Sequence, residues 1–181
     1  YGTATKQSEK ATAQVRLAMG PMIGAVGPND ARVWVRTTDA TTVVLHIDGK
    51  VASSASTSPE ADFTAVLHAT GLEPDRRYSA SIWMESDGRK PSVASTSSFR
   101  TAPAAGTPRT FTLAFGGGAG FTPQFERMWD SVGATQPDLL LLMGDNVYID
   151  HPKHPDVQRF CYHRRQSSGP YRRLLGHVPT F

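Results

Sequence analysis

The chain has a single cysteine, Cys161, so no disulfide can form within it. No apolar run approaches the ~20 residues that a membrane-spanning helix requires. Long basic blocks are missing too: the net charge of +3 is spread along the chain in mixed sign, and the electrostatic footprint of a nucleic-acid-binding protein is absent. No signal peptide is visible, although Tyr1 is not a natural start and leaves room for a targeting segment removed upstream. What the chain does have is 181 residues, enough to bury one large core or two small ones. Its 16 glycines and 13 prolines, with abundant Ser and Thr, predict short strands joined by turns.

The first seventeen residues are polar with weak helical character, and 1–17 reads as a loose leader or a short surface helix. From Gly20 to Thr101 the pattern has period two. Val33 and Val35 alternate with Trp34 and Arg36, and Val43, Leu45 and Ile47 share one face. Turn-forming clusters at 27–30, 48–50 and 86–91 separate the runs. Short strands at this spacing predict an immunoglobulin- or fibronectin-like β-sandwich over 18–102. The stretch GLEPDRRY places Tyr78 where such sandwiches tie a tyrosine hydroxyl back to nearby backbone. Trp34 and Trp83 read as core or cross-strand packing, with a ligand platform as the alternative. His46 and His68 have no ligand-spaced neighbours and read as surface or satisfied positions.

Residues 103–109, rich in Pro, Ala and Gly, read as a linker. Beyond it the pattern becomes strand, helix, strand: TFTLAF at 110–115, a helical stripe of Phe125, Met128, Trp129 and Val132 within 123–136, then the apolar run DLLLLM at 138–143. Unbroken apolar strands joined by a crossover helix predict parallel neighbours buried on both faces, so an α/β layer begins at 110. Ligands of such sheets bind beyond the carboxyl ends of the strands, where GGGAGF and GDNVYID both fall. GGGAG lacks the spacing of a dinucleotide loop and the Gly-Lys-Ser/Thr ending of a P-loop; three glycines allow close approach of backbone to an anion, to metal-bound solvent or to the next strand. An aspartate at a buried strand tip needs a cation or hydrogen-bond donors to offset desolvation, and a hard metal ion serves. The other reading of Asp145 is a cap on the following turn.

Several stretches taken together resemble the PhoD-type alkaline phosphatases, a branch of the calcineurin-like metallophosphoesterases: GPMIGAVGPNDARVWVRT (20–37), GLEPDRRYSASI (71–82), FRTAP (99–103), FTLAFGGG (111–118) and PDLLLLMGDNVYID (137–150). They cover the chain from about residue 18 to its end, in the family's order. The resemblance implies a fibronectin-like sandwich followed by the N-terminal part of a metallophosphoesterase domain at 110–181. It implies metal-dependent hydrolysis of phosphate esters, with Asp145 bridging the metals and Tyr148 ligating one of them. Asn146, Gly117, Gly118, His151 and Arg164 are the candidate substrate contacts. The family places a cysteine ligand where this chain has Gly118, which has no side chain to coordinate. Two or more divalent ions such as Ca2+ are therefore expected, in preference to a thiolate-supported Fe3+ site.

Relatives supply an Asp-Asp-His-Asp segment and further histidines after the point reached by HVPTF, so the remainder of the phosphatase domain is the expected partner and this chain alone is expected not to turn over substrate. Family members are usually exported, which implies an extracytoplasmic location. Between the motif and the end, His151 and His154 flank prolines without a helical i, i+4 ligand pair. Arg164 with Arg165, and Arg172 with Arg173, read either as phosphate clamps or as solvated helix faces. Cys161, between Phe160 and Tyr162, reads as packing. The competing function is a non-catalytic glycan- or protein-binding module beside a vestigial phosphatase domain.

Overall fold

A computed structural model describes residues 14–86, 89–151 and 153–181. The leader expected at 1–17 therefore lies mostly outside the described residues, as do two residues of the turn expected at 86–91. Seven strands come first: β1 (Leu17–Gly24), β2 (Asp30–Thr37), β3 (Thr41–Ile47), β4 (Lys50–Thr57), β5 (Thr64–Thr70), β6 (Arg77–Ser86) and β7 (Arg89–Arg100). They form two antiparallel sheets in the orders β1-β2-β5 and β4-β3-β6-β7. The first strand starts at Leu17, inside the stretch read as leader, because Met19 and Ile23 are drawn into burial against β2 despite a register shift between Met19 and Met22.

Period two is what closes this sandwich. Val33 and Val35 on β2, Val43 and Leu45 on β3, Leu67 on β5, Ile82 on β6 and Phe99 on β7 are almost wholly buried in one core. Each such side chain contributes about 1.5–3 kcal/mol on burial. Tyr78 is 5% exposed, and the Glu73 amide donates to its hydroxyl at 2.7 Å, so the predicted tie to backbone is present. The residues read as surface are accounted for as well: His46 stacks on Trp83 with ring centroids 5.0 Å apart, and His68 lies 2.9 Å from Asp30.

After residue 103 the chain forms β8 (Leu113–Gly116), α1 (Met128–Ala134), β9 (Leu139–Leu142), α2 (Pro155–Gln166) and α3 (Gly169–His177). Strands β8 and β9 pair in parallel, Leu113 opposite Leu139 and Gly116 opposite Leu142. The expected helix over 123–136 is split into a 3-10 turn at Pro123–Phe125 and the short α1. Its apolar stripe explains the difference: Trp129 is buried and Val132 half-buried, but Phe125 is 61% exposed, and Glu126 turns inward in its place. Nor are both faces of the parallel pair buried. Ala114, Leu140 and Leu142 pack with Trp129, Tyr171, Leu174, Leu175 and Val178 into a second core, while Leu113 and Phe115 on the opposite face are exposed.

Sandwich and parallel pair are parts of one sheet. Thr180 bridges in parallel to Gly24 of β1 on one side and to Leu140 of β9 on the other. The Thr180 amide donates to the Ile23 carbonyl at 2.9 Å, the Phe181 amide to the Leu140 carbonyl at 3.0 Å and the Leu142 amide to the Phe181 carbonyl at 2.9 Å. The continuous order is thus β5, β2, β1, residues 179–181, β9, β8. Helix α3 lies across the seam: Arg172 donates to the Gly20 carbonyl at 2.9 Å, and the Ser98 amide donates to His177 Nδ1 at 3.2 Å. Arg109 pins the intervening segment, pairing with Asp75 and with Asp138 at 2.8 Å each. On α2, His163 reaches back to Asp62 of the sandwich at 2.7 Å.

Candidate metal centre at the strand ends

The parallel pairing of β8 and β9 brings both strands to their carboxyl ends side by side, and the chain turns there through glycine on each strand. The Met143 amide donates to the Gly116 carbonyl at 2.8 Å, and the Gly118 amide to the Gly144 carbonyl at 3.3 Å. A Cβ at Gly117 would lie 3.1 Å from the Gly144 carbonyl oxygen, so the two loops approach more closely than most side chains permit. At Gly118 the backbone is left-handed, with φ at +71°, a conformation that favours glycine. Of the approaches the three glycines allow, the one seen is to the neighbouring chain: the Gly118 amide donates to the Gly144 carbonyl just beyond β9.

Asp145 follows the second turn and has φ at +51°, a left-handed conformation that aspartate tolerates better than most residues. Tyr148 comes three residues later, and its hydroxyl donates to Asp145 Oδ2 at 3.2 Å. The tyrosine ring lies over Gly120, where a Cβ would sit 3.6 Å from two ring carbons, and the hydroxyl is 3.8 Å from where a Cβ on Gly118 would be. Asp145, Tyr148 and the position of residue 118 therefore converge on one point. Partial burial of the ring, then the negative charge of Asp145 and the hydrogen bond to it, raise the Tyr148 phenol above the ordinary tyrosine value. As drawn, the phenol is a neutral donor to a carboxylate; a cation between the two oxygens would reverse that and favour the phenolate.

The other expected site residues are less closely gathered. Asn146 adjoins the pair, and its side-chain oxygen is buried without a hydrogen-bond partner among the described residues. His151 is exposed and meets His154 edge to face, ring centroids 5.8 Å apart, with no contact to Asp145 or Tyr148 among the described residues. Arg164 is exposed on α2 and stacks over Phe121, which follows the glycine loop in sequence, at 4.6 Å and over Phe160 at 5.5 Å. The other three arginines read as possible clamps are committed elsewhere: Arg165 is buried against Glu126, Arg172 is bonded to Gly20, and Arg173 grips Asp130 with two nitrogens. Glu126 and Arg165 went unnoticed as a pair, since nothing in their spacing marks residues 39 positions apart as partners.

As a cation site the arrangement fits in kind. Two oxygen donors, a carboxylate and a phenol, lie 3.2 Å apart at the rim of a sheet, with an unpartnered amide oxygen next in sequence, which suits a hard cation better than a soft one. In number it is partial: among the described residues no three His, Cys, Asp or Glu side chains gather closely enough to hold a metal by themselves.

Residues 14–104 match the sequence profile of DUF7800, a domain of unknown function. The chain belongs to the DUF7800 family. No curated protein matches it. Among solved structures, the DUF7800 chain is similar to PhoD, with a TM-score of 0.76 at 16% identity over 91% of this chain and 38% of PhoD. It is also similar to the purple acid phosphatase PPD1 from yellow lupin (Lupinus luteus) seeds, with a TM-score of 0.62 at 13% identity over 89% of this chain and 34% of that one. At these identities the likeness is one of fold: a β-sandwich leading into the strand–helix–strand unit. The chain spans little more than a third of the length of either phosphatase. Among the described residues no helix is long and apolar enough to cross a membrane.

Proposed function

We propose that this DUF7800 chain forms the sandwich and the first, metal-holding edge of a metal-dependent phosphate ester hydrolase of the PhoD type. The observation that carries the reading is the convergence of Asp145 and Tyr148, 3.2 Å apart, beside Gly118 at the carboxyl ends of two parallel strands. Its support is the shared fold of two phosphatases over about nine-tenths of this chain.

Asp145 and Tyr148 are the residues that would hold a hard divalent ion, of which calcium is the leading candidate given the oxygen-only donor set. Such ions supply charge neutralisation on a phosphoryl group and lower the pKa of bound water. The role of this chain is to fix the two donors. The left-handed turn at Gly144 and Asp145 aims the carboxylate outward, and the Tyr148 ring rests on Gly120, so both oxygens are placed before a ligand arrives. Arg164, its guanidinium plane held by Phe121 and Phe160, is the group that would meet a phosphate oxygen. The remaining ligands would come from outside this chain, which spans little more than a third of the length of either phosphatase it resembles. Export from the cytoplasm belongs to the same reading.

The test is calorimetric titration of calcium and manganese into the longest natural polypeptide carrying this chain, as wild type and as Asp145→Asn, alongside hydrolysis of nitrophenyl mono- and diesters. Asparagine keeps the left-handed backbone, so the variant stays folded. Loss of more than about tenfold in metal affinity, and of turnover with it, is the expected result. Equal affinity and equal rate in the two proteins would remove Asp145 from the centre and the proposal with it.

A further inference from the structure

Arg165 is a long cation with almost no solvent contact, 2% exposed, on a helix whose other two arginines, Arg159 and Arg164, are exposed. Burying a guanidinium is costly unless partners compensate, and here they come from one short segment. Its Nη1 lies 3.1 Å from Glu126 Oε1, an ion pair without hydrogen-bond alignment that leaves Nε and both carboxylate oxygens unbonded among the described residues, and Nη2 makes the side chain's hydrogen bond, donating to the Ala119 carbonyl. The rings of Phe121, Trp129 and Tyr171 surround it, with centroids 5.6, 5.4 and 5.7 Å from the guanidinium carbon. Ala119 is flanked by the two residues that meet Tyr148: Gly118, beside its hydroxyl, and Gly120, beneath its ring. One guanidinium thus ties the residue between Gly118 and Gly120 to α2.

We infer that Arg165 is the positioning residue of the candidate centre: through Ala119 and Glu126 it holds the 117–121 loop against α2, and the loop in turn supports Tyr148 in reach of Asp145. The inference rests on the metal-centre reading for its functional consequence, but not for its structural content. Arg165 is too deeply buried to touch substrate, which separates it from Arg164, its neighbour on the same helix. The planar fork is what the position needs, since one group must reach a carboxylate and a carbonyl at once; a lysine ammonium on a single stem cannot span both in the same way.

A purely structural ion pair makes a different forecast from a positioning one. Replacing both members of a buried pair by apolar residues of similar size is often neutral for stability, so Arg165→Met combined with Glu126→Met should restore what Arg165→Met alone loses. It cannot restore the bond to Ala119. In the full chain we therefore expect the double variant to melt near the wild-type temperature, while exchange of the Gly118 and Gly120 amides, followed by NMR, accelerates by about tenfold and strands β2 and β3 exchange as before. Calcium affinity should fall in parallel. Should the double variant lose its fold, Arg165→Lys serves: charge opposite Glu126 is kept, the fork is gone, and the same two amides should exchange faster. Unchanged exchange at Gly118 and Gly120 in whichever variant stays folded overturns the inference. Faster exchange in a protein whose wild type binds no calcium or manganese leaves Arg165 as the loop's anchor and defeats the metal reading instead.

Discussion

Gly118 offers the sharpest perturbation, because a Cβ there would meet the Tyr148 hydroxyl and no other atom within 4 Å. A Cβ at 118 would sit 3.8 Å from the Tyr148 hydroxyl, an ordinary van der Waals contact with no backbone atom in the way. Gly118→Cys therefore meets no steric barrier, only the left-handed backbone at φ +71°, which costs about 1–2 kcal/mol for a residue with a Cβ. A zinc ion holds sulfur at about 2.3 Å and oxygen at about 2.1 Å, so tetrahedral ligands of the two kinds stand about 3.5 Å apart. That separation is within reach of a thiol carried on this Cβ and the Tyr148 oxygen. Structural zinc sites bind with about 10–16 kcal/mol shared over four ligands, or about 3 kcal/mol each, and a further thiolate should thus tighten zinc by about 100-fold. The assay is anaerobic competition against a chelator, with cobalt as a spectroscopic substitute that reports thiolate ligation directly. Gly118→Ala carries the same strain without the sulfur and is the reference; the native thiol, Cys161, is 8% exposed and remains as background in both. Identical zinc affinity for the cysteine and alanine variants, or cobalt spectra without a thiolate band, would refute the claim that residue 118, Asp145 and Tyr148 share one centre.

Two stability predictions follow from the sandwich. Tyr78→Phe removes the hydroxyl that accepts from the Glu73 amide and leaves that partly buried donor unpaired, so urea unfolding should show a loss of about 1–3 kcal/mol with an unchanged m-value; a loss under a few tenths would mean solvent replaces the hydroxyl. Burial raises the Asp62 carboxyl, but the Arg36 and His163 hydrogen bonds and charges outweigh it and hold it below the ordinary aspartate value of 3.8. The folded-state value being depressed, the carboxylate stabilises above that ordinary value and its contribution fades as pH falls through the folded value. The difference in unfolding free energy between wild type and Asp62→Asn should be about 1 kcal/mol at neutral pH, since the pair keeps some solvent, and should disappear once the pH has fallen below the depressed folded value. Arg159, 3.8 Å away, is the other charge on this carboxylate. A difference that persists undiminished after the carboxylate is protonated would contradict the assignment.

The sandwich was legible in the sequence because alternation is a local signal. Val33 and Val35, or Val43, Leu45 and Ile47, declare their inward face within five residues, and Tyr78 declares its corner within eight. β1 was missed at its start because Gly20, at a register irregularity, breaks the alternation there. Asp145 and Tyr148 were legible as a pair since three residues in a tight turn can meet; that Gly118 joins them depended on β8 and β9 being parallel, which the strand–helix–strand pattern predicts, and on their register, which it does not. The Phe125 side of the helix was misjudged because an apolar stripe was read as buried, when burial went to Glu126 to match Arg165. A charge pair closed over 39 residues leaves no local periodicity, so only the fold reveals it.

The seam at Thr180 changes what the sandwich contributes. Were it a separate module, β1 would be its solvent-facing edge, with Gly24 and Ile23 free to pair with any passing strand. Instead Ile23 accepts from Thr180, and the segment 179–181 in turn pairs with β9, so the strand whose end carries Gly144 and Asp145 is the second neighbour of β1. Met22 on β1 packs into the core around Trp129 and Leu140, so a side chain of the sandwich enters the second core in addition to the ladder. Strain applied to β1 therefore reaches the base of the Asp145 turn through two backbone ladders and one packed side chain. The sandwich is thus the support on which β9 is registered, and the position of the carboxylate is fixed by residues more than a hundred positions earlier in the chain.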